Sequence, residues 1–245
     1  MTNLYPVTAL VAGLAGIASG GLVPRLIAGL PEPEPVPDEP ADEQTAVPEP
    51  KEPKELYADI AARPGLAWQV AVAAGVAAAA LGLVLGWDGS LLVVLPLVPV
   101  SAALAVIDWR TRLLPTRLIA PAYVLTVVTV LVAFLADERD LHDLERTGLG
   151  WLAYGGMFFV LWFVYPRGLG YGDVRLAGLL GLALGWVGWP ALLVGIWAGL
   201  LLGGILGGLL SLLLRRRDYP FGPFMLAGAL LGVVLGQPVL SAVYG

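Results

Sequence analysis

Long apolar runs, separated by short polar or glycine- and proline-rich stretches, set the pattern of the chain. A helix that spans a bilayer needs about 20 apolar residues, and eight segments of the sequence meet that need. The predicted spans are 4–24, 66–86, 90–107, 117–136, 147–165, 174–188, 190–214 and 222–243. The short alternating segments typical of outer-membrane barrels are not seen. The pattern therefore predicts an all-α polytopic membrane protein, whose shortest span is 174–188.

The composition of the 245 residues points the same way. Hydrophobic residues make up 58% of the chain and charged residues 13%, whereas an ordinary soluble domain carries about 25% charged residues. The sequence has no cysteine, which excludes disulfides and cysteine-ligated metal sites. No nucleotide-binding or zinc-protease motif is present. We therefore predict no cofactor, no metal and no nucleic-acid partner; the partner implied is the lipid bilayer.

One segment interrupts the apolar pattern after the first span. Residues 31–65 contain PEPEPVPDEPADEQTAVPEPKEPKE and hold ten of the 19 acidic residues of the chain. Such an acidic, proline-rich stretch cannot bury a core and is expected to be extended or disordered. The predicted organisation is a first transmembrane helix (1–30), a cytoplasmic linker (31–65) and a helical membrane domain (66–245). The linker is interpreted as a solvated connection, with attraction of a basic partner segment as the alternative.

The distribution of lysine and arginine predicts the orientation in the membrane. Three loops and the linker fall on one side of the eight spans and carry most of the basic residues, namely Arg25, Lys51, Lys54, Arg63, Arg110, Arg112, Arg117, Arg167, Arg175 and Arg215 to Arg217. The other side receives only Arg139 and Arg146, in the acidic loop DERDLHDLER. Because cytoplasmic loops are enriched in basic residues, we expect the first side to be cytoplasmic and both termini to be external, in the cell membrane.

Glycine recurs at four-residue spacing in several spans, as in the pairs Gly82 and Gly86, Gly203 and Gly207, Gly204 and Gly208, and in the series Gly228, Gly232 and Gly236. Small residues at this spacing let membrane helices approach closely. Packing within one chain explains the pattern, so no oligomeric state is inferred from it.

Four acids remain outside the linker and the acidic external loop: Asp88, Asp108, Asp173 and Asp218. Asp88 occupies the turn WDGS, and Asp218 follows three arginines with which it is expected to pair. Asp108 ends one apolar run and Asp173 opens another, both at the predicted cytoplasmic ends of their helices. Acids beside hydrocarbon are costly and usually functional, so these two are the candidates for chemistry.

Two carboxylates at one membrane depth suggest a catalytic pair. If the two carboxylates lie within hydrogen-bonding reach of each other, they cannot both ionise easily and would share a proton. One could then act as general base on a water while the other donates a hydrogen bond to a scissile carbonyl. The alternative is that each aspartate only caps its helix or pairs with a nearby arginine, and Asp173, near a helix start, suits a capping role.

Three stretches resemble a known family in the order that the family requires. The run GYGDVRLAGLLG is similar to the G-x-G-D motif of the type IV prepilin peptidases, which are membrane aspartyl proteases. The stretch VIDWRTRLLPTRLI resembles the segment with that family's first catalytic aspartate, and YPFGPFMLAGALLG resembles a third signature at the entry to the last helix. The tetrad alone would be a weak signal, whereas the ordered set is specific.

The resemblance implies cleavage of short, basic leader peptides from prepilins or pilin-like proteins at the cytoplasmic membrane face. It implies that Asp108 and Asp173 are the catalytic pair and that Gly170, Tyr171 and Gly172 shape the site, with Arg175 as the basic residue two places after Asp173. Four further residues are expected to pack near the site: Pro220, Phe221, Gly222 and Pro223.

The chain departs from the larger members of this family in one respect. Those members place a domain with paired cysteines after the first helix, and many also methylate the new pilin N-terminus. Here the cysteine-free linker stands at that place, which predicts a short, peptidase-only form. Two other interpretations stay open: an ion- or proton-coupled transporter that uses the paired aspartates, and a non-catalytic membrane protein of pilin assembly.

Overall fold

The computed structural model describes residues 4–32, 55–136, 140–166, 169–209, 213 and 219–244 of the chain. These residues form helices and contain no strand, which confirms the predicted all-α class. The helices are α1 Pro6–Gly20, α2 Val23–Ala28, α3 Tyr57–Ala61, α4 Leu66–Leu85, α5 Gly89–Val94, α6 Leu97–Thr111, α7 Thr116–Ala136, α8 Leu141–Val164, α9 Tyr171–Val187, α10 Trp189–Leu201 and α11 Gly222–Tyr244. A π-helical segment, Leu202–Gly207, continues α10.

Seven helices of the described chain are long and apolar enough to cross a membrane. They match seven of the eight predicted spans, although α8 begins at Leu141 rather than at 147 because Asp140 caps it. The eighth predicted span corresponds to α9, which has 17 residues. With about 1.5 Å of rise per residue, α9 is about 26 Å long, slightly short of the about 30 Å of a hydrocarbon core.

Helix α9 lies at the centre of the bundle. It packs against α5, α7, α8, α10 and α11, and its side chains are buried on nearly every face, as at Leu176, Ala177 and Trp186. A helix that is apolar all round and enclosed by neighbours belongs to the interior of a bundle. The segment that carries Asp173 is therefore held by protein on most sides.

Glycines bring the main helix pairs close together. On the face of α11 toward α10, Gly228 and Gly232 meet the backbone of Gly195 and Gly199 so closely that any side chain would collide with it. Gly181 of α9 approaches Gly150 of α8 in the same way. The four-residue glycine spacing thus serves packing within the chain at these positions, as small residues do in membrane bundles.

The two ends of the predicted linker are ordered and joined. The carboxylate of Glu32 accepts hydrogen bonds from the backbone N–H groups of Tyr57 and Ala58, at 2.8 and 2.9 Å, and so satisfies the first turn of α3. Tyr57 and Ile60 are buried on that helix, which packs against α2 and α6. Residues 57–61, which follow the proline-rich stretch within the predicted linker, therefore form a helical turn that buried side chains anchor. Residues 33–54 lie outside the described chain.

Arg146 of α8 fixes the other end of α9. Its guanidinium donates hydrogen bonds to the carbonyl oxygens of Gly185 and Trp186, at 2.7 and 2.9 Å. It also forms an ion pair of 2.6 Å with Asp143, in which both side chains are largely buried. The last carbonyls of a helix lack intrahelical donors, and a cation there interacts favourably with the helix dipole. Arg146 thus closes the C-terminus of α9.

We expect Arg146→Ala to lower the free energy of unfolding by about 1–3 kcal/mol, because it removes the donor of two buried helix-end carbonyls and the ion pair with Asp143. Thermal unfolding of the detergent-solubilised protein would measure the change. Glu145→Ala is the matched control, since Glu145 lies on the same helix and its side chain is 71% exposed. Equal melting temperatures for the two variants would contradict this role of Arg146.

Candidate active site

Asp108 and Asp173 lie at the ends of two different helices. Asp108 lies in the last turn of α6 and Asp173 in the first turn of α9. Both line the same cavity of about 540 Å³, and their carboxylates are near enough to interact electrostatically. The structure therefore brings the two aspartates together, as a catalytic pair requires.

The carboxylate of Asp108 is held by the start of α11. Asp108 is only 4% exposed, and its Oδ2 accepts a hydrogen bond of 2.9 Å from the backbone N–H of Gly222. A Cβ atom at position 222 would lie 2.7 Å from that oxygen, so glycine is needed for this close approach. A donor 114 residues away in the chain thus orients the first candidate carboxylate.

Asp173 is held in the same manner by its own helix start. It is 9% exposed, and its Oδ2 accepts a hydrogen bond of 3.1 Å from the backbone N–H of Gly170. This contact is one half of a capping box, in which the third residue of a helix reaches back to the cap. Asp173 therefore does cap α9, as one interpretation of the sequence expected, and it also faces the cavity.

Three segments enclose the cavity. One is the loop 112–117 between α6 and α7, the second is 170–175 at the start of α9, and the third combines residues 30–32 with Tyr57. Charged side chains of both signs lie on these walls: Glu32, Asp108 and Asp173 are acidic, and Arg112, Arg117 and Arg175 are basic. The site is thus a polar chamber at one end of an apolar bundle.

The turn after Asp108 has an unusual backbone. Arg112 ends α6 in the left-handed region, with φ of 55° and ψ of 34°, a conformation that costs a non-glycine residue about 1–2 kcal/mol. This turn directs Leu114 toward α9, where a Cβ on Gly172 would lie 2.9 Å from the Cβ of Leu114. Such strain is frequent at functional sites. Here the strained turn brings Leu114, which follows Asp108 in the chain, into contact with Gly172, which precedes Asp173.

Tyr171 and Arg175 form part of the cavity wall. The guanidinium carbon of Arg175 lies 5.5 Å from the centre of the Tyr171 ring, within the range of a cation–π contact. The Arg175 side chain also contacts the hydroxyl of Thr116, and the Tyr123 hydroxyl donates to the Arg175 carbonyl at 2.8 Å. These contacts tie the start of α9 to α7.

The four residues predicted from the third signature divide among different surroundings. Gly222 binds Asp108 directly, whereas Phe221 packs its ring 5.8 Å from that of Phe158 on α8. Pro223 faces a separate apolar groove rather than the polar chamber. Pro220 is partly buried in the segment before α11. Only Gly222 of this set contacts a candidate carboxylate through a hydrogen bond.

Glu32 and Tyr57 belong to the cavity wall although sequence reasoning assigned them to the linker. Burial raises the pKa of the Tyr57 hydroxyl, and the Glu32 carboxylate raises it further, so Tyr57 stays protonated at neutral pH. The available signal was the spacing of Tyr57 and Ile60, three residues apart, which places two large apolar side chains on one helical face.

The remaining acids play local roles or lie elsewhere. Asp88 caps α5, since its side chain accepts from the backbone N–H of Ser90 at 2.7 Å, and Asp218 lies outside the described residues. Within the described part of the chain, no three histidine or acidic residues are grouped so that they could hold a metal ion.

Comparisons with known proteins match a family model to the part of the chain that contains the site. A sequence model described as the type IV leader peptidase family matches residues 95–244, a range that contains both aspartates and Gly222. No solved structure matches the chain significantly.

Three similar proteins carry the name prepilin leader peptidase/N-methyltransferase. The chain is 34% identical over 135 residues to the one from Escherichia coli strain K12, which covers 53% of this chain and 57% of that protein. It is 29% identical over 178 residues to that of Pseudomonas putida (68% and 59%) and 30% over 175 residues to that of Aeromonas hydrophila (66% and 55%). The chain thus matches little more than half the length of these relatives. From the family match across both site segments, the chain belongs to the type IV leader peptidase family.

Proposed function

We propose that the chain is an aspartic endopeptidase that removes short basic leader peptides from type IV prepilins or pilin-like proteins. One observation carries the proposal: Asp108 and Asp173 line a single cavity, and each has one oxygen held by a backbone N–H. The cavity volume of about 540 Å³ lies within the usual range of about 300–1,000 Å³ for ligand sites.

The pair supplies both halves of a general acid–base mechanism. Two neighbouring carboxylates do not ionise together easily, so the pair holds one shared proton. The ionised carboxylate takes a proton from a water, which attacks the scissile carbonyl carbon while the protonated partner donates to the carbonyl oxygen. The tetrahedral intermediate then breaks its C–N bond, and the leaving amine takes a proton from the pair. Water is consumed, no covalent enzyme intermediate forms, and the shared proton is restored.

The proposed site faces the cytoplasm, and both termini are external. The support is the distribution of charge: Arg112, Arg117 and Arg175 lie around the cavity, whereas Arg146 lies at the opposite end of α9. Cytoplasmic ends of membrane helices are enriched in such residues. A leader peptide that extends into the cytoplasm ahead of a membrane-embedded helix would therefore meet the pair at this edge.

The position of the aspartates favours a peptidase over an ion- or proton-coupled transporter. Transporter sites of that kind lie near the bilayer midplane, on helices that are broken there. Asp108 and Asp173 lie instead in the last turn of α6 and the first turn of α9. A non-catalytic role in pilin assembly is separated from the proposal by the substitutions described next.

We expect Asp108→Asn and Asp173→Asn each to reduce leader removal by about a hundredfold or more, since each removes one half of the acid–base pair. Cleavage of a co-expressed prepilin, followed by mass spectrometry, would measure it. Asp88→Asn is the matched control, because that residue caps α5 away from the cavity and asparagine is an equally good cap. Near-normal cleavage by either site variant, at equal membrane abundance, would rule out the pair.

The names of the three relatives include an N-methyltransferase activity as well as the peptidase activity. We propose that this chain cleaves without methylating, because the cysteine-free segment 31–65 stands where the larger members of the family carry their cysteine domain. The cleaved pilin is then expected to have a free amine at its N-terminus. Intact-mass measurement of pilin made with this chain as the sole peptidase tests this, and a product heavier by one methyl group would contradict it.

We propose that residues 33–54 act only as a solvated linker. Replacing 34–53 by a short glycine–serine stretch keeps Glu32, which caps α3, and Glu55, which pairs with Arg63 at 2.6 Å. The kcat/KM for prepilin is then expected to stay unchanged at low and high salt. A rise in KM that is present at low salt and shrinks with added salt would instead indicate electrostatic recruitment of the basic leader.

A further inference from the structure

A second cavity, of about 330 Å³, lies in the apolar part of the bundle between α4, α6, α9 and α11. Among the described residues that line it, Ser101 is the only one with a polar side chain. Two of its alanines, Ala73 on α4 and Ala227 on α11, are exposed in the isolated chain. It is therefore a groove that opens on the side of the bundle, and we call it the lateral groove.

The lateral groove begins where the polar chamber ends. On α6, Ala105 of the groove lies three residues before Asp108, a separation of about 4.5 Å along the helix axis. On α11, Pro223 of the groove directly follows Gly222, whose N–H binds Asp108. The groove continues along α11 to Val233, about 15 Å farther from the pair along the axis. The two cavities are thus consecutive along the same helices, with Asp108 at their junction.

Small side chains dominate the walls of the lateral groove. Alanines of α4, α6, α9 and α11 line it, including Ala77, Ala102 and Ala227. In a bilayer, small residues let another helix approach closely, because association depends on packing rather than on the hydrophobic effect. The groove is too small to enclose a helix, but it suits a row of side chains from a helix that lies against it.

We propose that the lateral groove holds the apolar helix of the substrate, immediately after the scissile bond. This inference rests on the proposed peptidase function. A prepilin changes from a charged leader to an apolar helix near its cleavage point, and the enzyme changes from a charged chamber to an apolar groove at Asp108. The match fixes the register: the apolar helix in the groove places the preceding peptide bond at the pair. A lipid chain in the groove would have no such relation to the carboxylates.

The first test fills the groove and compares two precursors with the same leader and cleavage junction. One continues into an apolar helix, and the other continues into a polar segment of equal length. Ala102→Leu and Ala227→Leu are each expected to raise KM about tenfold for the first precursor, through lost packing of about 1.4 kcal/mol, with kcat nearly unchanged. Neither variant should affect the second precursor. Ala153→Leu is the control, since Ala153 is exposed on α8 outside the groove.

An unchanged KM for both precursors, or an equal rise for both, would overturn the assignment of the groove. Cleavage of neither precursor by the unsubstituted chain would instead overturn the proposed peptidase function. The two failures are therefore distinguishable.

The second test detects binding of the precursor to a variant that does not cleave it. Because the chain has no cysteine, Ala227→Cys in an Asp173→Asn background creates a single reactive position, with the precursor left uncut. A precursor with one cysteine one or two turns after the scissile bond should cross-link to it through a short bis-maleimide. Ala153→Cys should not cross-link. No cross-link at position 227, or equal cross-linking at 153, would overturn the assignment of the groove to the substrate helix.

Discussion

Two carboxylates at the end of an apolar helix bundle need hydrogen-bond donors, and this need shapes the architecture around them. A buried charge without a partner costs several kcal/mol, and a helix interior has no spare N–H groups to offer. Within a helix, the N–H groups that lack a backbone partner are those of the first turn. The bundle therefore brings the beginnings of α9 and α11 to the end of α6, so that Gly170 and Gly222 each supply one donor. The glycines that pack α11 closely against α10 fix the position of α11, whose first residue supplies one of these donors.

The shortness of α9 follows from the same requirement. A helix that faces lipid must be long enough to keep its ends out of hydrocarbon, but α9 is enclosed by five other helices. Its N-terminal end can therefore border the polar chamber rather than lipid. Arg146 closes the opposite end by binding the last carbonyls of the helix.

The spans, the family and the two aspartates could be predicted from the sequence because the patterns that indicate them are local. Apolar length, loop charge and a glycine-framed aspartate can each be read within about 20 residues. The hydrogen bond from the Gly222 N–H to Asp108 joins positions 114 residues apart. No periodic pattern in the sequence indicates such a contact. Resemblance alone brought residues 220–223 near the site, without telling Gly222 from Pro223. Helix α3 was missed because its two buried side chains, Tyr57 and Ile60, are too few to stand out beside a proline-rich stretch. The role of Arg146 was equally hidden, since its partners are carbonyl groups, which every residue has.

The bond between Glu32 and the first turn of α3 makes the chain between them an insertion point. The two ends of residues 33–54 are fixed beside each other by Glu32 and Tyr57, so the length and content of the intervening chain do not alter the positions of α2 and α3. Closing a longer flexible loop adds only about 0.6 kcal/mol for each doubling of its length. The same membrane bundle can therefore carry a bare acidic stretch or an entire folded domain at this place while Asp108 and Asp173 stay where they are. A change in length at this position then requires no compensating change in the membrane bundle.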